Sequence, residues 1–249
     1  MKKTILITGA SSGIGWATAE KMADMGHRLV LCGRRQDRLE ELAEKVNTDT
    51  HILCFDVRKR EAVFLAVSSL PPEFEKIDVL LNNAGNAHGL DFSQEANLDD
   101  WDTMIDGNVK GLLYTTKAIL PQMIARKNGH IINVGSIAGK ESYPKGNVYC
   151  ASKAAVDSFT QGLRLDTNPY GLRVGAIHPG LVETEFSSIR FKGDQNRAKN
   201  VYNTLTPLTA EDVADAIAYM VAAPPHVTLA DITLLPTDQA SAYVINRQS

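Results

Sequence analysis

Thr4-Ile5-Leu6-Ile7-Thr8-Gly9-Ala10-Ser11-Ser12-Gly13-Ile14-Gly15 is the stretch that decides the fold. Its first five residues are apolar or β-branched without alternation, so the strand they predict has both faces covered, as in a parallel sheet between helices. Glycine breaks the run, and an amphipathic helical period over residues 14–25 closes on Gly26. A strand, a glycine-rich turn and a helix N-terminus in that order give each glycine a task. Gly9 permits the tight turn, Gly13 lets backbone approach a pyrophosphate, and Gly15 lets the helix pack closely. Ser11, Ser12 and Ile14 complete a cradle in which free N–H groups and the positive end of the helix face an anion. Away from that context the same glycines would read as an ordinary turn.

The pattern continues along the chain. Short aliphatic or β-branched runs at 28–32, 51–55, 79–82, 130–134, 173–178 and 232–235 predict further strands, and residues 37–46, 98–127, 148–167 and 210–222 carry helical periodicity. In the first of these helices Leu39, Leu42, Ala43 and Val46 fall on one face. Such alternation predicts an α/β fold: a doubly wound, three-layer arrangement around a seven-stranded parallel sheet, forming a single domain over residues 1–249. No Pro/Gly/Ser linker, repeat or shift in composition divides it. The polar, charged segment 186–206 is the least regular. Beside the carboxyl ends of the strands, where α/β sheets bind ligands, it is expected to form a substrate lobe.

Composition narrows the partners. With 44% hydrophobic and 22% charged residues, the 249-residue chain is expected to build one packed core. Its 26 basic and 29 acidic residues leave a net charge of -3 and no basic block, which argues against nucleic acid. The N-terminal apolar run is too short for a signal-peptide core, and no segment approaches a membrane span. Three scattered cysteines, Cys32, Cys54 and Cys150, read as reduced, mostly core thiols of a cytoplasmic protein. The six histidines, at 27, 51, 88, 130, 178 and 226, show no metal-ligand spacing, so no catalytic metal is expected.

Residues that can carry chemistry lie at the ends of the expected strands. Arg34 and Arg35 stand just before a helix start and oppose its dipole, an arrangement that costs up to about 1 kcal/mol and makes sense with an anion between them. Tyr149 and Lys153, four apart on a helix, share one face. Bringing a phenol from its ordinary pKa to about 7 needs roughly 4 kcal/mol. An ammonium about 5 Å away supplies roughly 3 kcal/mol at an effective dielectric near 20. Alone, such a pair is common on exposed helices. Ser136 follows a strand and stands thirteen residues before Tyr149. The remaining strings are Asp56-Val57, Asn82-Asn83-Ala84-Gly85, Asn108-Val109-Lys110-Gly111 and His178-Pro179-Gly180-Leu181-Val182-Glu183-Thr184.

In register, these motifs resemble the short-chain dehydrogenase/reductase family over essentially the whole chain, with Gly-x-x-x-Gly-x-Gly in place of Gly-x-Gly-x-x-Gly. The resemblance implies a Rossmann-type fold that binds NADP, its 2'-phosphate against Arg34 and Arg35, and oxidises CH-OH groups or reduces carbonyls. It implies that Asp56 and Val57 meet adenine and that Asn83, Ala84 and Gly85 line the cofactor. Ser136 would hold the substrate carbonyl, Tyr149 act as general acid/base, and Lys153 bind the nicotinamide ribose while tuning the phenol. Asn108 would anchor a water in a proton relay. Pro179, Gly180 and Val182 would grip the carboxamide, and Thr184 the pyrophosphate.

Gly33 to Leu39, Phe186 to Asp194, and Leu235, Pro236 and Gln239 are further similar to a subgroup of NADP-dependent 3-hydroxy acid (serine or allo-threonine) dehydrogenases. A small carboxylate substrate needs a fixed cation, for which Arg190 is the candidate and Arg247 a second. Sulfoacetaldehyde reductases resemble the same subgroup. A broad-range carbonyl reductase is a further alternative, as is a non-catalytic NADP-sensing protein, which would be expected to lose the tyrosine or lysine kept here. His88 reads either as a specificity residue or as loop surface, and Tyr143 either as pocket lining or as packing. The family's common assembly implies a homotetramer through helices 98–127 and 148–167.

Overall fold

The computed structural model describes residues 2–247. Strands β1 (Thr4–Thr8), β2 (Arg28–Gly33), β3 (Thr50–Cys54), β4 (Val79–Asn82), β5 (His130–Val134), β6 (Arg173–Pro179) and β7 (Asp231–Leu234) are all parallel, in the order β3-β2-β1-β4-β5-β6-β7. The order reverses between β1 and β4. There the connections leave in opposite directions, and a crevice opens at the carboxyl ends of the strands.

Alternation along β1 divides the core in two. Ile5 and Ile7 face α1 (Gly13–Asp24), α2 (Gln36–Lys45) and α10 (Ala210–Ala222), while Leu6 faces α3 (Arg60–Ser68), α4 (Pro72–Glu75), α6 (Gly111–Arg126) and α7 (Asn147–Thr167). Inside the second layer Asn82 donates to Thr116 Oγ1 and Asn133 Oδ1, both at 2.9 Å, and accepts from Thr115 Oγ1 at 2.6 Å. Asn133 in turn donates to Thr160 Oγ1 at 2.8 Å. Every one of these amides is buried and satisfied, so the network fixes β4, β5, α6 and α7 in one register.

The structure departs from the sequence reading at four places. The 98–127 segment is not one α-helix: α5 (Leu98–Met104) passes through a π-helical turn, Ile105–Lys110, into α6, and the helix ends on Lys127 in the left-handed region. Helices α3 and α4 carry no clean apolar stripe, Phe64 and Leu65 being exposed, so periodicity did not reveal them. β7 is an edge strand with alternating exposure and not a doubly covered one. Cys54 is exposed, whereas Cys32 and Cys150 are buried as expected. The 186–206 segment contains α8 (Phe186–Arg190) and α9 (Gln195–Asn200). Among the described residues no helix is long and apolar enough to cross a membrane.

Candidate active site

The carboxyl ends of the strands open into a cleft of about 450 Å³. Gly9 (φ 67°) and Gly13 (φ 52°) turn the chain after β1. No side chain caps α1 and no acid lies in its first turn, so its N-terminal N–H groups stand unopposed where Ser12, Gly13 and Ile14 line the cleft. A Cβ on Gly15 would fall 2.3 Å from the Gly9 carbonyl oxygen, so helix and loop touch only because that side chain is absent. Gly15 is thus a packing residue and not part of the lining. Asn83 Nδ2 donates to the carbonyls of Thr8 and Gly9 at 2.9 and 3.2 Å, and Thr8 Oγ1 accepts from the N–H groups of Asn83 and Ala84 at 3.0 Å. The cradle fits a dinucleotide's diphosphate: donors without partners, positive potential and no carboxylate.

At the other side of the cradle Arg35 is fixed. Its Nε and Nη2 donate to Ser11 Oγ and the Ser11 carbonyl at 3.3 and 3.0 Å, and its Nη1 meets Glu185 at 3.1 Å. Arg34 is exposed, lines the same end, and makes no ion pair among the described residues. Asp56 and Val57 line this end too. Arg58 clamps the Asp56 carboxylate through Nε and Nη2 at 2.6–3.0 Å. Burial alone would raise that carboxyl, but the Arg58 hydrogen bonds hold it below its ordinary value. Arg38, by contrast, stacks on Trp16 and pairs with Glu41 on the outer face of α2.

Ser136, Tyr149 and Lys153 line the opposite end, with Gly85 and Asn108. Ser136 starts a 3₁₀ turn, Ile137–Gly139, its Oγ accepting from Ala138 N–H at 3.1 Å, and it lines the same end of the cleft as Tyr149. Tyr149 is buried, with Phe186 edge-on at 5.6 Å. Lys153 Nζ donates to the Val134 carbonyl at 2.9 Å. Burial brings the Lys153 amine down to about 8. Burial likewise pushes the Tyr149 hydroxyl well above its ordinary value, against smaller downward pulls from Ser136 and the Arg190 charge. Desolvation is the largest influence on the phenol, and Lys153 is not among the groups that shift it in the chain on its own. The Asn108 side chain is held by three hydrogen bonds. Its Oδ1 accepts from Asn86 N–H at 2.8 Å, and its Nδ2 donates to the Asn86 carbonyl at 2.8 Å and Ser152 Oγ at 3.0 Å. The side chain is committed to holding the loop after β4 against α7.

Arg190, at the end of α8, reaches into the same space. Its guanidinium carbon lies 5.5 Å from the Tyr143 ring centre and 5.7 Å from that of Tyr149. Nε donates to the Gly89 carbonyl at 3.2 Å, while Nη2 is buried without a partner. Tyr143 packs over Gly146, where a Cβ would lie 2.2 Å from its ring, and so supports Arg190 from behind. His88 lines the cleft, and burial lowers its pKa, keeping it neutral at physiological pH. Arg247 is elsewhere: it donates to the carbonyls of Asn203 and Val201 at the surface.

Pro179, Gly180, Val182 and Thr184 form the cleft's remaining wall. Gln239 from the tail accepts the Leu181 N–H at 2.8 Å, and Tyr202 donates to the Val182 carbonyl at 2.8 Å. Sequence reasoning missed Arg58, Leu181 and Tyr202 as lining residues. Arg58 stands two residues from Asp56 and could have been found there; Tyr202, in a polar stretch without periodicity, left no signal.

A doubly wound sheet that offers an uncapped helix and an acid-free glycine turn at its switch point defines a class, the dinucleotide-binding α/β proteins. Residues 3–195 match the family model for short chain dehydrogenases, and the chain belongs to that family. It is 44% identical over 246 residues to an NADP-dependent 3-hydroxy acid dehydrogenase of Escherichia coli K12, spanning 98% of this chain and 99% of that protein. It is 45% identical over 251 residues to sulfoacetaldehyde reductase 2 of Chromohalobacter salexigens, covering 99% and 100% of the two. A serine dehydrogenase solved in a closed form with NADP+ superposes with a TM-score of 0.94 at 42% identity, over 99% of this chain and 100% of that one.

Proposed function

We propose that this protein is an NADP-dependent oxidoreductase interconverting a small 3-hydroxy acid, of the serine, allo-threonine or 3-hydroxypropionate type, and its 3-oxo form. The observation that carries the substrate class is Arg190, whose buried Nη2 has no partner beside the Tyr149 ring. A buried guanidinium nitrogen left unpaired is costly, and an arriving carboxylate removes that cost with a charge-assisted hydrogen bond. The relatives named above support the same reading.

The nicotinamide, when bound, supplies or accepts the hydride. The chain's residues do the rest. Ser136 donates to the carbonyl oxygen and holds it at the phenol. Tyr149 gives that oxygen its proton during reduction and takes it back during oxidation. A phenol kept protonated by burial is ready for the first direction, and oxidation needs additional positive charge at the site. Lys153 supplies part of it while binding the nicotinamide ribose. Arg34, with no competing ion pair, and Arg35 receive the 2'-phosphate, and Asp56 holds the adenine edge.

A sulfonate presents the same charge to Arg190, and the sulfoacetaldehyde reductase relative favours that as a second reading. Turnover of serine, allo-threonine, 3-hydroxypropionate, sulfoacetaldehyde and a neutral ketone by wild type and Arg190→Ala tests both. Arg190→Ala should raise KM for the charged substrates about 10- to 100-fold, the worth of a charge-assisted hydrogen bond, and leave the neutral ketone unchanged. Equal losses on both would sink anion recognition. A homotetramer, with exposed Leu165 on α7 buried between copies, and a cytoplasmic setting, in keeping with three unpaired cysteines, belong to the same reading. Light scattering on the purified protein checks the first.

A further inference from the structure

Outside the cleft, four charged or titratable side chains converge behind Ser136: Lys140 beyond the 3₁₀ turn, Asp157 on α7, His178 on β6 and Asp231 on β7. We propose that Asp157, His178 and Asp231 form a divalent-cation site of the zinc or cobalt type, held shut by Lys140.

The donor atoms come together within 4.8 Å of one another. His178 Nε2 lies 3.5 Å from Asp157 Oδ1 and 3.4 Å from Asp231 Oδ2. Ligands about 2.0–2.2 Å from a tetrahedral ion stand about 3.3–3.5 Å apart, so these spacings need little adjustment. The imidazole is buried, with no exposed surface, and Nε2 has no hydrogen-bond partner. Its other nitrogen, Nδ1, lies 3.4 Å from the Ser136 carbonyl oxygen, and a ring nitrogen facing a carbonyl carries the proton. Assigned in this way, Nε2 presents a lone pair toward two carboxylate oxygens. Three lone pairs aimed at one point repel unless a cation lies among them.

Lys140 is the cation there. Its Nζ sits 2.9 Å from Asp157 Oδ1 and 2.5 Å from Asp231 Oδ2. One ammonium set against two carboxylates leaves a residual negative charge and leaves Nε2 unbonded. A divalent ion in its place balances the charge and takes up the imidazole, while the lysine, partly exposed on a short turn, swings to solvent. Nitrogen and two oxygens suit zinc or cobalt, with a fourth position open to water. Because His178 touches the Ser136 carbonyl and precedes Pro179 and Gly180, an ion there would brace the backbone on both sides of the cleft.

The probe is Co2+ alone, titrated into the purified full chain and followed by its visible absorption, with Zn2+ as competitor. Lys140→Ala should give one saturable set of tetrahedral bands, displaced by Zn2+, about tenfold tighter than wild type, the scale on which ligand-supporting contacts act. Asp157→Asn with Asp231→Asn should lose them. No saturable bands in Lys140→Ala, or bands of equal strength in the asparagine variant, would overturn the site. Cooperative thermal unfolding verifies that each variant folds. Should the double variant fail to fold, Asp231→Asn alone, on the half-exposed edge strand, carries the same comparison.

Discussion

A phenol and an amine buried on one helix face answer to desolvation before they answer to each other. Tyr149 and Lys153 were singled out by their spacing together with Ser136 and the family resemblance, and both line the cleft. The direction of the tyrosine's shift was not legible, because burial depends on Phe186 and the 186–206 lobe, far away in sequence. Tyr149→Phe should lower kcat about 10²- to 10⁴-fold, the usual worth of a positioned acid or base, while NADPH binding measured by fluorescence persists. Lys153 gives a pH dependence of stability. Its pKa is about 8 in the folded chain against an ordinary 10.5, so between those values the unfolded chain holds the extra proton. Stability contributed by this residue then rises with pH across that window and is flat below it. Urea unfolding at pH 7.5 and 9.5 should show wild type gaining about 2 kcal/mol relative to Lys153→Met. A gain of the same size in the variant would assign the effect to other groups.

Elements were legible wherever a short strand met a helix with a clear stripe. They were obscured where packing overrode pattern: α3 exposes Phe64 and Leu65, and the π-helical turn at Asn108 has no periodic signature. That turn brings Asn108 to Asn86 and Ser152, so one residue ties the loop after β4 to the helix bearing Tyr149. The β1–α1 unit is the opposite case, its glycines being readable from order alone. Gly15→Ala should destabilise by about 1–3 kcal/mol, the cost of forcing a methyl into a closed contact, and raise the KM for NADPH. A melting temperature equal to wild type would contradict that contact. At the turn between β2 and α2, Glu185, the residue just before the lobe, reaches across to Arg35. Glu185→Gln frees the guanidinium for phosphate, and KM for NADPH should fall about two- to fivefold, as suits an exposed ion pair, with that for NADH unchanged.

Across the whole molecule, strand number, parallel direction and the place of the cleft could be read from the chain. The cluster of Asp157, His178 and Asp231 could not, since its members are separated by 21 and 53 residues and meet only when β6 and β7 pair beside α7. A ligand that binds only the folded chain raises its stability by mass action, about 2.7 kcal/mol at a hundredfold excess over Kd. NADPH should therefore raise the melting temperature more than NADH at equal concentration, and replacing both Arg34 and Arg35 by alanine should erase the difference. The tail bears on practical handling. Gln239 sits so close to Gly180 that a methyl there would lie 2.1 Å from its Oε1, and it also anchors Leu181. A clipped product ending near Leu235 would lose Gln239, and with it the contact that braces a wall of the cleft.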